Sequence, residues 1–595
     1  VTFDGTPVQM DQLAVTFELL PGIQWSDGVT VTADDSLYSY ELNLMTEPDH
    51  FSDSPPTPNQ LARTASYEAL DTLRTRWTAL PGYLDSRYNQ VFWHPLPRHA
   101  WEGQGLSPED LHTAPESTKS PLGWGPYAVD AWEAGVAITM TANPYYYRAA
   151  EGLPKIDTLV IHFNDNDADA ALADVLAGQA DATWGIGGLP DSLLALDGYG
   201  AVNAHIETGT AWEHGDFAID PHESYPARPD YFEDREMRQA IAYCLDRQAM
   251  ANAVTAGYGQ VLNTYIPAEH PLYPGDENLM LYPHNVVSGT ELLASLGWTD
   301  TNGDGFRECN SCTTAGAAED DPLTFNWLTL DIPLRSTYAQ MARADLAECG
   351  IDLVVDTRTS NEFLDDFWWR IFYRFYDISS FAWISDFEPA CDLYVSDQIP
   401  SDANGWAGLN YPAFSNAAYD AACTTALTSL PGTADHVDNH HEAMRILSEE
   451  VPVVPLFTRL EIASAHPRLI GLRLDPTSRV VLNNVETWEF LADGLPPEGT
   501  LEAGDGSQAQ NTTPVTLHLD ASDRGGGTVE QMLIRERTWN GNDWVIVAET
   551  GWIPYAATYG WDLDPTPAAH YLGAYFMDDS GNATSMPAQT IINLT

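Results

Sequence analysis

The chain has 595 residues, with 26 Lys+Arg against 86 Asp+Glu, a formal charge of −60. Hydrophobic residues at 44% and aromatics at 11% exclude a disordered acidic chain and leave material for roughly two to four domains. A surface this negative repels phosphate backbones and anionic lipid headgroups, which excludes nucleic acid and polybasic membrane binding, and 40 Pro with 43 Gly argue against a helical bundle. Lys119 and Lys155 are the only lysines. Acid-rich, lysine-poor composition suits a protein that stays soluble in salty water, and an arginine-rich codon usage gives the same count. No apolar run reaches the roughly 18 residues of a membrane span. The chain opens on Val1-Thr-Phe-Asp-Gly-Thr, in mid strand-and-turn, without signal peptide, lipid-attachment cysteine or initiator Met, and reads as processed or truncated there.

In chain order, Leu13–Leu19 alternates with period two and predicts a strand; Ser26-Asp-Gly28 is a turn. Thr32-Ala-Asp-Asp35 caps a helix over Ser36–Leu44, and a Pro-rich loop spans Ser52–Asn59. Residues 117–163 read as strands and turns, and Asp167–Leu176 as a helix closed by Gly178. Arg235–Thr255 predicts one long helix with Ile241, Leu245 and Ala249 on a stripe, followed by a short helix at Glu291–Leu296. Thr324–Leu330 (strand), Arg335–Cys349 (helix) and Ile351–Asp356 (strand) complete an α/β alternation. Asp435–Glu450 is a helix, and Val451–Phe457 a buried strand broken by prolines. Residues 494–514 read as a Gly/Pro/Ser/Gln linker. Beyond it, strands at Val515–Leu519, Gln531–Arg537, Trp544–Ala548, His570–Phe576 and Gln589–Leu594 predict a small β-sandwich. Residues 500–595 carry 12 acids and 3 arginines, so the acidity extends over the tail.

The common catalytic signatures (nucleophile elbow, Walker loop, His-Glu-x-x-His, a Gly-x-Gly-x-x-Gly after a strand) are missing. Asp300-Thr-Asn302-Gly-Asp304-Gly305 copies half of a calcium loop, but position twelve is Ser311 rather than a bidentate Glu, so an acidic turn is the plainer reading. Cys309-Asn-Ser-Cys312 reads as a short disulfide rather than half a zinc site, Cys391 and Cys423 as a pair, and Cys244 and Cys349 as free buried thiols. His436 and His440 stand at i, i+4 beside His441; no third ligand is placed by the sequence, and a solvated helix face is the favoured reading. Trp368, Trp369, Phe372, Tyr373, Phe375, Tyr376, Phe381, Trp383 and Phe387 crowd a window that also holds Asp377, Asp386 and Glu388, combining core with the aromatic and carboxylate lining suited to cationic or zwitterionic ligands.

Several segments together resemble the family-5 extracytoplasmic solute-binding proteins, the oligopeptide/dipeptide/nickel-binding class serving ABC importers. They are Phe17–Gly28 with Ala33-Asp-Asp35, Leu96-Pro-Arg-His99, Gly123-x-Gly125-Pro-Tyr127, Asn143-Pro-x-Tyr146, Leu176-Ala-Gly178, Arg238–Tyr243 with Asp246-Arg247, Gly350-Ile-Asp352 and Val451–Leu456, in family order. Leu20 replaces the family's usual Arg, and the family's first strands are missing before Val1. The tail resembles a bacterial immunoglobulin- or fibronectin-like module, with Asp578-Asp-Ser-Gly-Asn582 as its turn.

The resemblance implies a two-lobed α/β fold of the periplasmic-binding-protein type II class: 1–225 in lobe 1, 226–468 in lobe 2, 469–493 returning to lobe 1, a 494–514 linker and a 515–595 β-sandwich. It implies a monomeric, extracytoplasmic receptor, lipid-anchored in its precursor, that closes on a peptide and delivers it to a membrane permease, with no catalytic residue, cofactor or metal. Trp383-Ile-Ser-Asp386-Phe-Glu-Pro389 resembles the stretch whose Asp pairs with a peptide α-ammonium, and so implies Asp386 as ligand anchor between Trp383 and Phe387 as cleft walls. Asp386 as a turn cap, and the two aromatics as core, are the plain alternatives. Other functions left open are an oligosaccharide receptor, a secreted metal-dependent hydrolase using His436/His440 or the Asp300 loop, and a surface adhesion protein acting through its tail.

Overall fold

The computed structural model describes residues 8–594 apart from 46–60, 165–166, 186–192, 195–196, 198–200, 221–227, 360–361, 363–365, 407, 479–480, 492–493, 507–508, 524–527 and 540–543. The opening Val1–Thr6 and the Pro-rich loop at 52–59 lie outside the described residues.

The N-terminal part holds β1 (Ala14–Glu18), α1 (Ala33–Met45), β2 (Thr64–Ala69) and β3 (Arg74–Ala79), the strands forming an antiparallel sheet in the order β1-β3-β2. The Asp35 carboxylate accepts from the Thr32 amide at 2.8 Å, which caps α1 as expected. Next come β4 (Tyr127–Glu133), β5 (Ala137–Ala142) and β6 (Thr158–His162), a three-stranded meander, then α2 (Ala168–Leu176) and β7 (Ala182–Trp184).

The centre is one six-stranded sheet. Its strands are β7, β8 (Asn203–Phe217), β9 (Thr324–Leu330), β10 (Asp352–Arg358), β11 (Ile378–Ile384) and β12 (Val453–Ala465), in the order β10-β9-β11-β8-β12-β7. Strands β9, β10 and β11 run parallel, and β8 is antiparallel to both β11 and β12. Around it stand α3 (Arg235–Cys244), α4 (Arg247–Thr255), α5 (Val286–Ser295), α6 (Pro333–Glu348), α7 (Ala417–Leu427) and α8 (Ala434–Glu450). Phe217, Phe232, Trp298, Phe325, Trp327 and Tyr338 centre the main core, all buried.

Two expectations are corrected here. The single helix over 235–255 is two, because Leu245 is extended (φ −82°, ψ 125°) and Asp246 caps α4 by accepting from the Ala249 amide at 2.9 Å. Cys244 and Cys349 are not free thiols but a disulfide, with Cα atoms 6.2 Å apart. The ends of α3 and α6 meet over Gly289 of α5, where a Cβ would fall 2.4 Å from the Cys244 sulfur. Cys309–Cys312 and Cys391–Cys423 pair as expected.

The tail contains β13 (Glu498–Ala503), β14 (Pro514–Ser522), β15 (Val529–Trp539), β16 (Trp544–Glu549), β17 (Thr558–Asp562), β18 (Ala569–Asp578) and β19 (Ala588–Leu594). Residues 498–503, expected as linker, pair along β14 instead. One sheet is ordered β13-β14-β17, the other contains β19-β18-β15-β16, and alternate residues (Leu517, Met532, Ile534, Leu572, Phe576, Ile592) fill a shared core. Within it the Glu536 carboxylate accepts from Trp561 Nε1 (2.8 Å) and the Asp564 amide (3.0 Å) and faces His570 Nδ1 (2.6 Å). No helix among the described residues is long and apolar enough to cross a membrane.

Candidate ligand-binding site

The site is organised by β8 and β12, 15 and 13 residues long, paired antiparallel through most of their length. At one end they carry β11, whose Ile378–Ile384 pairs with Phe217–Ala211; at the other, β12 carries β7 through Ala463–Ala465. Between these ends the register slips twice, at Pro455/Phe457 and Thr458/Leu460. Proline lacks the amide a ladder needs, and an extra residue bends a strand, so the ladder is weakest at these two slips.

A buried charge cluster braces this crossing. Glu213 of β8 accepts from Arg335 Nε (3.1 Å) and Nη2 (3.2 Å) and from the Tyr338 hydroxyl (2.8 Å), and Arg459 lies 3.5 Å away at the slip. Burial pushes the Glu213 carboxyl up, but the Arg335 and Arg459 guanidiniums and the hydrogen bonds more than offset this and hold it below the usual carboxylate range. Local patterns could not reveal the cluster: Arg335 and Glu213 are 122 positions apart.

Strand β11 delivers the predicted anchor to the same level. Beyond Ile384, the Ser385 amide donates to Thr210 O (2.8 Å) and its hydroxyl to Tyr265 O (3.0 Å), pinning the chain to the middle of β8. Asp386 and Phe387 follow, both exposed, Phe387 at 61%. Asp386 Oδ1 accepts from the Phe387 amide at 2.7 Å, and the carboxylate forms no salt bridge among the described residues. Trp383 is half-buried and lies parallel to Tyr411 (5.9 Å, 13°) with its edge against Phe381 (5.4 Å, 74°), at the rim of a core cluster that includes Trp368 and Phe372. Trp383 also lies parallel to the buried His214 (6.4 Å, 6°), and so belongs to an aromatic stack, whereas Phe387 is exposed.

The expectation of a solvated His436/His440 face is corrected. Both side chains are buried, and their Nε2 atoms face the buried Glu388 carboxylate at 3.0 and 2.7 Å. The two share the α8 stripe of Ala443, Met444 and Leu447, and that spacing was the available signal. The Asp300 loop is a set of side-chain-closed turns: Asp300 accepts from the Gly303 and Gly305 amides (2.6 and 3.1 Å), Asn302 from Asp304 (2.8 Å) and Asp304 from Phe306 (2.9 Å).

Contacts also cross from the β1–β3 unit. The Ser86 amide donates to Leu427 O at 3.0 Å, and Arg87 reaches Asp392 at 3.3 and 3.4 Å. A cavity of about 960 Å³ lies elsewhere, between β6 and β7, each at the edge of its sheet among the described residues, lined by Trp132, Trp184, Trp488 and Phe490.

A central sheet crossed by two paired strands, with an exposed carboxylate at the crossing, fits proteins that bind between lobes. Residues 7–404 match bacterial extracellular solute-binding proteins, family 5, and the chain belongs to that family. It is similar to the oligopeptide-binding protein AppA of Bacillus subtilis (25% identical, 80% of each chain) and to a dipeptide-binding protein of Pseudomonas aeruginosa (24% identical over 61% of this chain and 60% of that one). Among solved structures, Bacillus subtilis AppA with a nonapeptide aligns at a TM-score of 0.60 (21% identity, 80% of this chain, 87% of that one). NikA of Brucella suis with Fe(III)-EDTA aligns at 0.64 (19% identity, 80% and 88%). The fold is therefore that of the two-lobed periplasmic binding proteins, with an added C-terminal β-rich region. The chain is a solute-binding protein of the ABC-importer class, extracytoplasmic and partnered with a permease, and not an enzyme.

Proposed function

We propose that this chain is the peptide receptor of an ABC importer, and that Asp386 takes the α-ammonium of the ligand between the closing lobes. The observation that carries this reading is the placement of Asp386: an exposed carboxylate without a cationic partner among the described residues, held through Ser385 at the middle of β8. A desolvated carboxylate facing an ammonium gives a charge-assisted hydrogen bond and orients the ligand. Exposed Phe387 and the rim ring Trp383 offer apolar walls on either side. Peptide main chain supplies affinity that tolerates varied side chains. The tail serves as an immunoglobulin- or fibronectin-like spacer.

The test is calorimetry with a short-peptide library. Micromolar binding is expected for some members, and N-acetylation or Asp386→Asn weakens it about ten- to hundredfold, the worth of a charged hydrogen bond. A library without hits, together with binding of metal chelates such as the Fe(III)-EDTA held by NikA, assigns the cleft to chelates and refutes the peptide reading.

A further inference from the structure

We propose that Glu388, His436 and His440 form a buried divalent transition-metal site of the Zn²⁺ class, whose carboxylate lies two residues beyond Asp386. One oxygen or nitrogen from each lies within 4.8 Å of the others, and all three side chains are fully buried. Two imidazoles at i, i+4 on a helix plus one carboxylate, with a fourth position left for water, is a donor set that zinc accepts. His436 and His440 each face that carboxylate through Nε2, and the Ser86 side chain lies beside it.

Charge argues the same way. The carboxylates of Asp392, Glu388 and Asp85 all act on the Arg87 guanidinium. Asp85 and Glu388 are buried and Asp392 half-exposed, so three carboxylates share one guanidinium and two imidazoles in a poorly solvated place. The carboxylate is also pre-positioned, since Pro389 and the Cys391–Cys423 disulfide fix the loop that carries it.

The full chain, tag-free and stripped with EDTA, is titrated with ZnCl₂ by calorimetry and, separately, with CoCl₂ in the visible spectrum. One ion per chain is expected, with the d–d bands of a four-coordinate nitrogen/oxygen site and a higher melting temperature. His440→Ala and Glu388→Gln each weaken Zn²⁺ binding at least hundredfold. Because either variant could lose its fold, the cobalt spectrum of the unmodified chain is an independent readout. Absence of stoichiometric binding, an octahedral aquo-like cobalt spectrum, or binding that survives His440→Ala and disappears with Asp300→Asn overturns the proposal.

Discussion

The Cys244–Cys349 bridge makes a quantitative prediction. It closes a loop of 105 residues, and Cys391–Cys423 one of 32. Cross-linking removes loop-closure entropy from the unfolded chain, so the longer loop is worth about 4.8 kcal/mol and the shorter about 3.7 kcal/mol. The double substitution Cys244→Ala/Cys349→Ala therefore costs about 4.8 kcal/mol, and the corresponding change at Cys391/Cys423 about 1 kcal/mol less. With a guanidinium slope of about 5 kcal/mol/M for a body of this size, the first variant shifts its unfolding midpoint down by about 1 M. Guanidinium unfolding followed by tryptophan fluorescence is a direct assay, since Trp298 and Trp327 sit in the core beside α3 and α6. Equal midpoints for the variant and the parent would falsify the loop-closure argument. Detection of two free thiols in the denatured, unreduced parent refutes the bridge itself.

Three more outcomes concern the packing around the bridge and the Glu213 cluster. Gly289→Ala, whose Cβ would meet the Cys244 sulfur at 2.4 Å, destabilises the parent by about 1–3 kcal/mol but is much milder in the bridge-free variant; equal costs in both backgrounds, measured by thermal unfolding, contradict that packing. Arg335→Met leaves Glu213 buried and underpaired at a cost of about 3–5 kcal/mol, while adding Glu213→Leu restores much of the loss in the same assay. Because the Glu213 carboxyl is held below its ordinary range, its contribution is present near neutral pH and is lost as pH falls through the folded-state value, so Glu213→Gln flattens the acid limb of a stability–pH curve; an unchanged limb is the contrary result.

Periodic segments were legible in the sequence. Leu13–Leu19, Thr324–Leu330, Asp435–Glu450 and most tail strands lie where alternation or a helical stripe puts them, because one face of each is buried and the other is not. Asp246 carried the signal of the break between α3 and α4, since an aspartate in the middle of an apolar stripe is also a cap. Strand β8 escaped notice. Glycine, histidine and acids run through Asn203–Phe217, and its lower half is only partly buried, so neither period dominates. The Cys244–Cys349 pairing, the Glu213 brace and the Glu388 cluster escaped for a shared reason: each joins residues at least 48 positions apart, and no local pattern encodes such a meeting. Asp386 was singled out by the spelling of its neighbours, and it follows Ser385, whose amide donates to Thr210 in the middle of β8.

The paired crossing strands bear on the thermodynamics of capture. A receptor whose halves hang on loose tethers must order those tethers each time it closes, and that entropy is subtracted from its affinity. Here β8 and β12 share one hydrogen-bonded ladder, interrupted at Pro455–Phe457 and Thr458–Leu460. The two strands are therefore fixed against each other when the chain folds, and a bend in the ladder costs fewest hydrogen bonds at its two short irregularities. A solute shifts the population of such a bend only by its differential affinity for the two ends.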